Sequence, residues 1–173
     1  MRKLRYCVAM SLDGFIAGPQ GEADWITMDE TIDFQAFFEE FDTVLIGRRT
    51  FEVTQNASAP AMPGMQTLVC SRTLTFDGQS NVTVSRDAAR TVSSLKSEPG
   101  KDIWLFGGGG LFRSLLDAQL VDTIEVGVMP ILLSQGVPLL PSGRRSPALR
   151  LTESKALPSG IIGLTYTPRY GAA

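Results

Sequence analysis

Asp102-Ile103-Trp104-Leu105-Phe106-Gly107-Gly108-Gly109-Gly110-Leu111-Phe112-Arg113-Ser114-Leu115-Leu116 is the stretch that decides the fold. An apolar strand runs into four glycines and then into a helix, Leu111 to Leu120, with Leu111, Leu115, Leu116 and Leu120 on one side. A turn of this kind leaves backbone N–H groups free at the helix start. Glycine lets a ligand approach them closely, and the helix dipole favours an anion there. The pattern departs from the dinucleotide fingerprint because Phe112 stands where its third glycine would be, and no Lys-Ser/Thr follows to make a Walker A loop. Four glycines exceed what a turn that only packs helix on strand requires, so the run is a candidate phosphate site.

Two other strand ends carry the same chemistry. Thr43-Val44-Leu45-Ile46-Gly47-Arg48-Arg49-Thr50-Phe51-Glu52 is an apolar strand, a glycine and a basic helix start. Arginine binds phosphate bidentately, and at a helix N-terminus it opposes the dipole unless an anion neutralises it. Thr67-Leu68-Val69-Cys70-Ser71-Arg72 is a third strand, ending in a hydroxyl and a guanidinium. In a parallel sheet the carboxyl ends of the strands share one edge. The three ends would then converge on a single polyanionic ligand.

The remaining pattern alternates strands and helices. Strands are expected at Leu4 to Met10, Phe15 to Ala17, Asn81 to Val84 and Asp122 to Met129. Asp24 or Thr27 is expected to cap a helix whose core face is Phe34, Phe37, Phe38 and Phe41, spaced i, i+3, i+4, i+7. Ala88 to Lys96 reads as a helix and Ala57 to Gly64 as a loop. Leu149 to Leu157 and Ile161 to Thr167 form a closing hairpin around Pro158-Ser159-Gly160. The expected fold is α/β: three layers, with a mostly parallel central sheet flanked by helices and an antiparallel C-terminal hairpin. The 173 residues fit one domain, 1–173, and a chain of this size buries roughly two-thirds of its unfolded surface without disulfides or structural metal.

Composition excludes several chemistries. The net charge of -2 offers no field for nucleic acid or an anionic membrane, and no apolar run is long enough to span a bilayer. No signal peptide is expected. Cys7 and Cys70 lie in apolar runs and read as free thiols, which fits a cytoplasmic location. Histidine is absent, so histidine triads and histidine metal sites are ruled out, and no metal is expected. A proton would have to come from a carboxylate, tyrosine, lysine, cysteine or water.

The three motifs, in this order, resemble the dihydrofolate reductase fold. Met10-Ser11-Leu12-Asp13-Gly14-Phe15-Ile16-Ala17-Gly18, followed by Asp24-Trp25 and by Val128-Met129-Pro130-Ile131-Leu132-Leu133-Ser134-Gln135-Gly136, resembles more specifically the reductase domain of riboflavin biosynthesis. The likeness runs from Leu4 to Thr167. It implies NADPH as cofactor, with Arg48, Arg49, Ser71 and Arg72 around the adenosine 2′-phosphate. Gly47 and Thr50 would face the pyrophosphate together with Gly107, Gly108, Gly109 and Gly110, and Leu111 and Phe112 would open the helix that binds it. Ala9, Ile16 and Ala17 would border the nicotinamide. Trp25 matches a tryptophan of the substrate pocket, and Asp29 or Glu30 falls where an acidic residue contacts the pterin in dihydrofolate reductase. The zinc deaminase domain that precedes the reductase in the bifunctional riboflavin enzyme is not expected in a chain without histidine.

Asp13 reads either as a turn residue bonding its own backbone or as a substrate contact. Glu125 faces either the site or water. The function expected is an NADPH-dependent reductase of a small pterin-, pyrimidine- or riboflavin-precursor-like heterocycle, in the manner of dihydrofolate reductase or 5-amino-6-(5-phosphoribosylamino)uracil reductase. The alternative is an NADP-binding module without turnover, a sensor or dimeric scaffold. The apolar surplus that includes Val137-Pro138-Leu139-Leu140 predicts a homodimer.

Overall fold

The computed structural model describes residues 1–56, 64–76, 78 and 80–171. The expected loop from Ala57 to Gly64 lies outside these, apart from its last residue. Fourteen elements follow one another: β1 (Leu4–Ser11), β2 (Phe15–Ala17), α1 (Phe34–Glu39), β3 (Phe41–Gly47), α2 (Arg48–Asn56), β4 (Gln66–Cys70), β5 (Val82–Ser85), α3 (Ala88–Ser97), β6 (Asp102–Gly107), α4 (Gly109–Asp117), β7 (Thr123–Met129), β8 (Val137–Pro138), β9 (Leu149–Ala156) and β10 (Ile162–Pro168). Eight strands form one sheet in the order β5-β4-β3-β6-β1-β7-β10-β9. The six strands from β5 to β7 are parallel, and β10 and β9 are antiparallel. This is the α/β fold expected, and its neighbours among solved structures, given below, share it.

Alternation along the strands sorts the core into two faces. On one, Leu4 and Tyr6 of β1, Leu45 of β3, Ile103 and Leu105 of β6, and Ile124 and Val126 of β7 pack under Val92 of α3 and Phe112, Leu115 and Leu116 of α4. Phe112 stacks on Tyr6 with ring centroids 3.9 Å apart. On the other, Cys7, Val44 and Trp104 meet Phe37 of α1, and Ile46, Val69 and Val82 meet Phe51 of α2. The sheet is therefore the middle of three layers.

Two expected elements differ. The phenylalanine helix is only six residues long, because Asp33, not Asp24 or Thr27, caps it by accepting the Ala36 N–H. Phe41 belongs to β3, and Phe38 is 36% exposed, so the stripe is not a continuous core face. Val137-Pro138 forms a short strand, β8, paired with β2, a pairing that two residues with one proline do not announce. Val137 to Leu140 is thereby spent inside the chain: Leu139 and Leu140 pack against the larger core, and the Leu139 N–H donates to Gly14 O. At the sheet's outer edge every residue of β9 is exposed, including Leu149 at 41% and Leu151 at 50%. Among the described residues no helix is long and apolar enough to cross a membrane.

Candidate functional site

Because β5, β4, β3 and β6 are parallel and adjacent, their carboxyl ends line one edge. The register aligns them closely: Ser85 pairs with Cys70, Cys70 with Gly47, and Ile46 with Gly107. Across three strand gaps, about 14 Å, the edge presents Ser85-Arg86, Ser71-Arg72, Gly47-Arg48-Arg49-Thr50 and Gly107 to Gly110. The three expected strand ends are brought together. A fourth, Ser85-Arg86, was missed. It repeats the strand-Ser-Arg pattern of Cys70-Ser71-Arg72, and that repetition was the signal that could have found it.

The local geometry suits an anion. The first intrahelical bond of α4 runs from the Phe112 N–H to Gly108 O, so the N–H groups of Gly109, Gly110 and Leu111 precede it and remain free of intrahelical partners. A Cβ on Gly108 would lie 3.2 Å from the Thr50 hydroxyl, which places that hydroxyl at the turn. A Cβ on Gly109 would lie 2.8 Å from the Pro138 carbonyl, so only glycine fits there. At Gly110 a Cβ would meet no protein atom within 4 Å, which leaves the helix mouth open on that side. The Gly107–Gly108 peptide bond is cis. Leu111 and Phe112 lie in the first turn of α4; the Phe112 ring is buried in the core against Tyr6 and its N–H donates to Gly108 O.

Arg48 reaches Glu52 at 3.8 Å, with both side chains about half exposed. Among the described residues Arg49, Arg72 and Arg86 have no carboxylate in ion-pair range. The Ser71 hydroxyl oxygen accepts the N–H groups of Thr73 and Leu74 at 3.2 and 2.9 Å, which leaves its proton to donate.

Next along the edge come β1 and β7. Ala9 pairs with Gly127, and Gly127 with Gly163 of β10, a row without bulky side chains on the α1 side of the sheet. Ile16 and Ala17 lie in β2, which β8 holds in place; Ala17 pairs with Val137. Asp13 lies in the turn between β1 and β2, where three donors hold its carboxylate. The Ser11 hydroxyl donates to it at 2.6 Å, and its carboxylate accepts the N–H groups of Leu133 and Ser134 at 3.1 and 2.7 Å. Those bonds, the Ser11 hydroxyl first, hold its carboxyl below the usual range. Asp13 thus ties the β1–β2 turn to the loop after β7.

The acidic pair divides. Asp29 is buried: Oδ1 accepts the Thr31 N–H at 2.9 Å and the Thr31 hydroxyl, and Oδ2 accepts the Ser159 N–H at 3.0 Å. Ser159 first, then Thr31, hold its carboxyl well below the ordinary range, so it carries no proton at neutral pH. Glu30 is exposed. Trp25 is half-buried, and its Nε1–H donates to Glu22 O at 3.2 Å. Glu125 is gripped by Arg5 at 2.7 and 2.8 Å and by the Thr123 hydroxyl, which settles it as a structural ion pair.

The family model described as the RibD C-terminal domain matches residues 2–163. The chain is 29% identical over 177 residues to the uncharacterized protein YyaP of Bacillus subtilis (strain 168), covering 95% of this chain and 94% of that protein. It is 28% identical over 149 residues to riboflavin biosynthesis protein RibD of Corynebacterium ammoniagenes, covering 76% of this chain and 44% of that one. The crystal structure of a putative riboflavin biosynthesis protein from Shewanella sp. PV-4 superposes with a TM-score of 0.83 at 25% identity, covering 98% of this chain and 99% of that one.

Proposed function

The chain belongs to the RibD C-terminal domain family, and from that premise we propose that it is an NADPH-dependent reductase of a small heterocyclic acceptor, of the pterin, pyrimidine or riboflavin-precursor kind. The observation that carries this reading is the side-by-side order β5-β4-β3-β6, which sets two Ser-Arg pairs, an Arg-Arg-Thr helix start and an open glycine helix start on one edge. Such an edge suits a ligand with a phosphate at one end and a pyrophosphate further along.

Arg48, Arg49, Ser71 and Arg72, joined by Arg86, would hold the 2′-phosphate. Thr50, beside Gly47, and the N–H groups of Gly109, Gly110 and Leu111 would hold the pyrophosphate at the Gly107–Gly110 turn. Ala9, Ile16 and Ala17 would border the nicotinamide. Bound NADPH supplies the hydride; the protein's part is placement. The small-residue row Ala9, Gly127 and Gly163 suits a flat ring, with Trp25 as a wall. Glu30 or a water molecule is left to supply the proton, since Asp13 and Asp29 are engaged by backbone N–H groups. A cytoplasmic location fits the two free cysteines.

NADPH titration by fluorescence, then loss of NADPH absorbance with a pterin and with 5-amino-6-(5-phosphoribosylamino)uracil, tests the reading. Binding with turnover is expected. Binding without oxidation of any acceptor in a wider panel would leave a nucleotide-binding module, and no binding would overturn the proposal. The homodimer is carried forward on a different surface: the outer hairpin, where Leu149, Leu151 and Ile162 are exposed. Light scattering should give twice the chain mass; a monomer at high protein concentration would refute it.

A further inference from the structure

Residues 18–33, between β2 and α1, carry Trp25 and contain no helix or strand. Their position depends on discrete anchors. One is the Thr27 hydroxyl, which approaches the Met129 sulfur at 3.9 Å. The other is Asp29. Among the described residues it is the one buried carboxylate, and it has no cation in ion-pair range. A buried charge is tolerated only if dipoles replace the lost water. Here two come from Thr31, within the segment, and one from the Ser159 amide, 130 positions along the chain.

Ser159 sits in the turn that joins β9 to β10. The Gly160 N–H donates to Leu157 O at 2.9 Å and closes that turn, and Gly160 takes φ +88° to re-enter the strand. The next residue, Ile161, is 2% exposed and lies against Gly127 of the small-residue row. Asp29 therefore joins the segment that bears Trp25 to the turn bordering the floor of the proposed acceptor pocket.

We propose that Asp29 is a positioning residue: by holding the Ser159 amide it locks the Trp25 segment to the β9–β10 turn, so that the C-terminal hairpin frames the acceptor, while the proton comes from another group. The acceptor half rests on the reductase reading above; the lock does not. A proton donor needs a proton and a path to the acceptor. Asp29 is ionised, buried and committed to three donors.

Asp29→Asn tests the lock, because the amide keeps one acceptor oxygen for two backbone N–H groups, Thr31 and Ser159, and removes the charge that both hold. Hydrogen exchange of the intact chain should then rise about tenfold in residues 20–31 and 157–161 together, with β3 and β6 unchanged. Exchange that rises everywhere, or only in 20–31, overturns the lock. Thr31→Val, which removes one of the three donors and keeps the carboxylate, serves if Asp29→Asn does not fold. It should open the same two segments by a smaller factor, and unchanged exchange would count against the proposal. In turnover with 5-amino-6-(5-phosphoribosylamino)uracil, Asp29→Asn should raise the acceptor KM about tenfold, leave NADPH affinity unchanged and preserve the shape of the kcat–pH profile. Loss of that profile's alkaline limb, where a proton donor would titrate, or a kcat collapse at constant KM, would make Asp29 the proton donor and refute the assignment. Wild-type protein without turnover would fail the reductase reading alone, because the exchange experiment decides the lock independently.

Discussion

Gly110→Asp is expected to leave the melting temperature unchanged or slightly raised while NADPH affinity falls about a hundredfold. Gly110 is the second residue of α4, and a Cβ there meets no protein atom within 4 Å, so the side chain has room. A carboxylate in the first helical turn gains about 0.3–1 kcal/mol from the dipole, and replacing glycine inside a helix removes a further entropic cost. The same carboxylate would sit among the N–H groups assigned to the pyrophosphate. Losing charge-assisted bonds worth about 1.5–3 kcal/mol each lowers affinity by one to two orders of magnitude. Stability and binding thus move in opposite directions, which a general folding defect cannot imitate. Gly109→Ala is the contrast, since its Cβ would lie 2.8 Å from the Pro138 carbonyl and should lower the melting temperature. A thermal melt beside a fluorescence titration reads all of these quantities. Undiminished NADPH affinity in Gly110→Asp would remove the α4 N-terminus from the site.

The second large effect is on cofactor choice. Arg48→Ala combined with Arg49→Ala should weaken NADPH about a hundredfold and NADH less than threefold. Each guanidinium contact to a phosphate dianion is worth about 1.5–3 kcal/mol, and NADH lacks that phosphate. Neither arginine holds the fold: both are exposed, and the Arg48–Glu52 pair at 3.8 Å is of a kind worth about 0.3–0.5 kcal/mol. Equal losses for the two nucleotides, measured by titration at one salt concentration, would refute the assignment to the 2′-phosphate.

What the residues disclosed in advance follows from what local pattern can carry. The buried strands were readable because parallel strands covered on both faces are continuous apolar runs, as in Thr43 to Ile46 and Ile103 to Phe106. Glycine and arginine at the ends of those runs located the edge. The helix through Phe41 was misread because Phe41, on a strand, happens to fall seven positions after Phe34 and packs with Phe37 on the same side of the sheet. That the Phe112 ring faces the core was not legible, because a motif does not show helical phase. Asp29 was legible as an acidic residue near the pocket. Its engagement with Ser159 was not, because that bond depends on where a turn 130 positions later comes to rest.

The strand order also has a consequence for how the chain is made. β1 is made before either of its sheet neighbours: it lies between β6 and β7, and its nearest partners there are 99 positions downstream. At a synthesis rate of about 5–20 residues per second, this apolar strand waits roughly 5–20 s before either neighbour exists. β3, β4 and β5 can pair meanwhile, but the sheet cannot close around its centre until β6 and β7 are out. The centre of the sheet therefore forms only after β6 and β7 have been made, and Leu4 to Met10 stays without its strand partners in the interval.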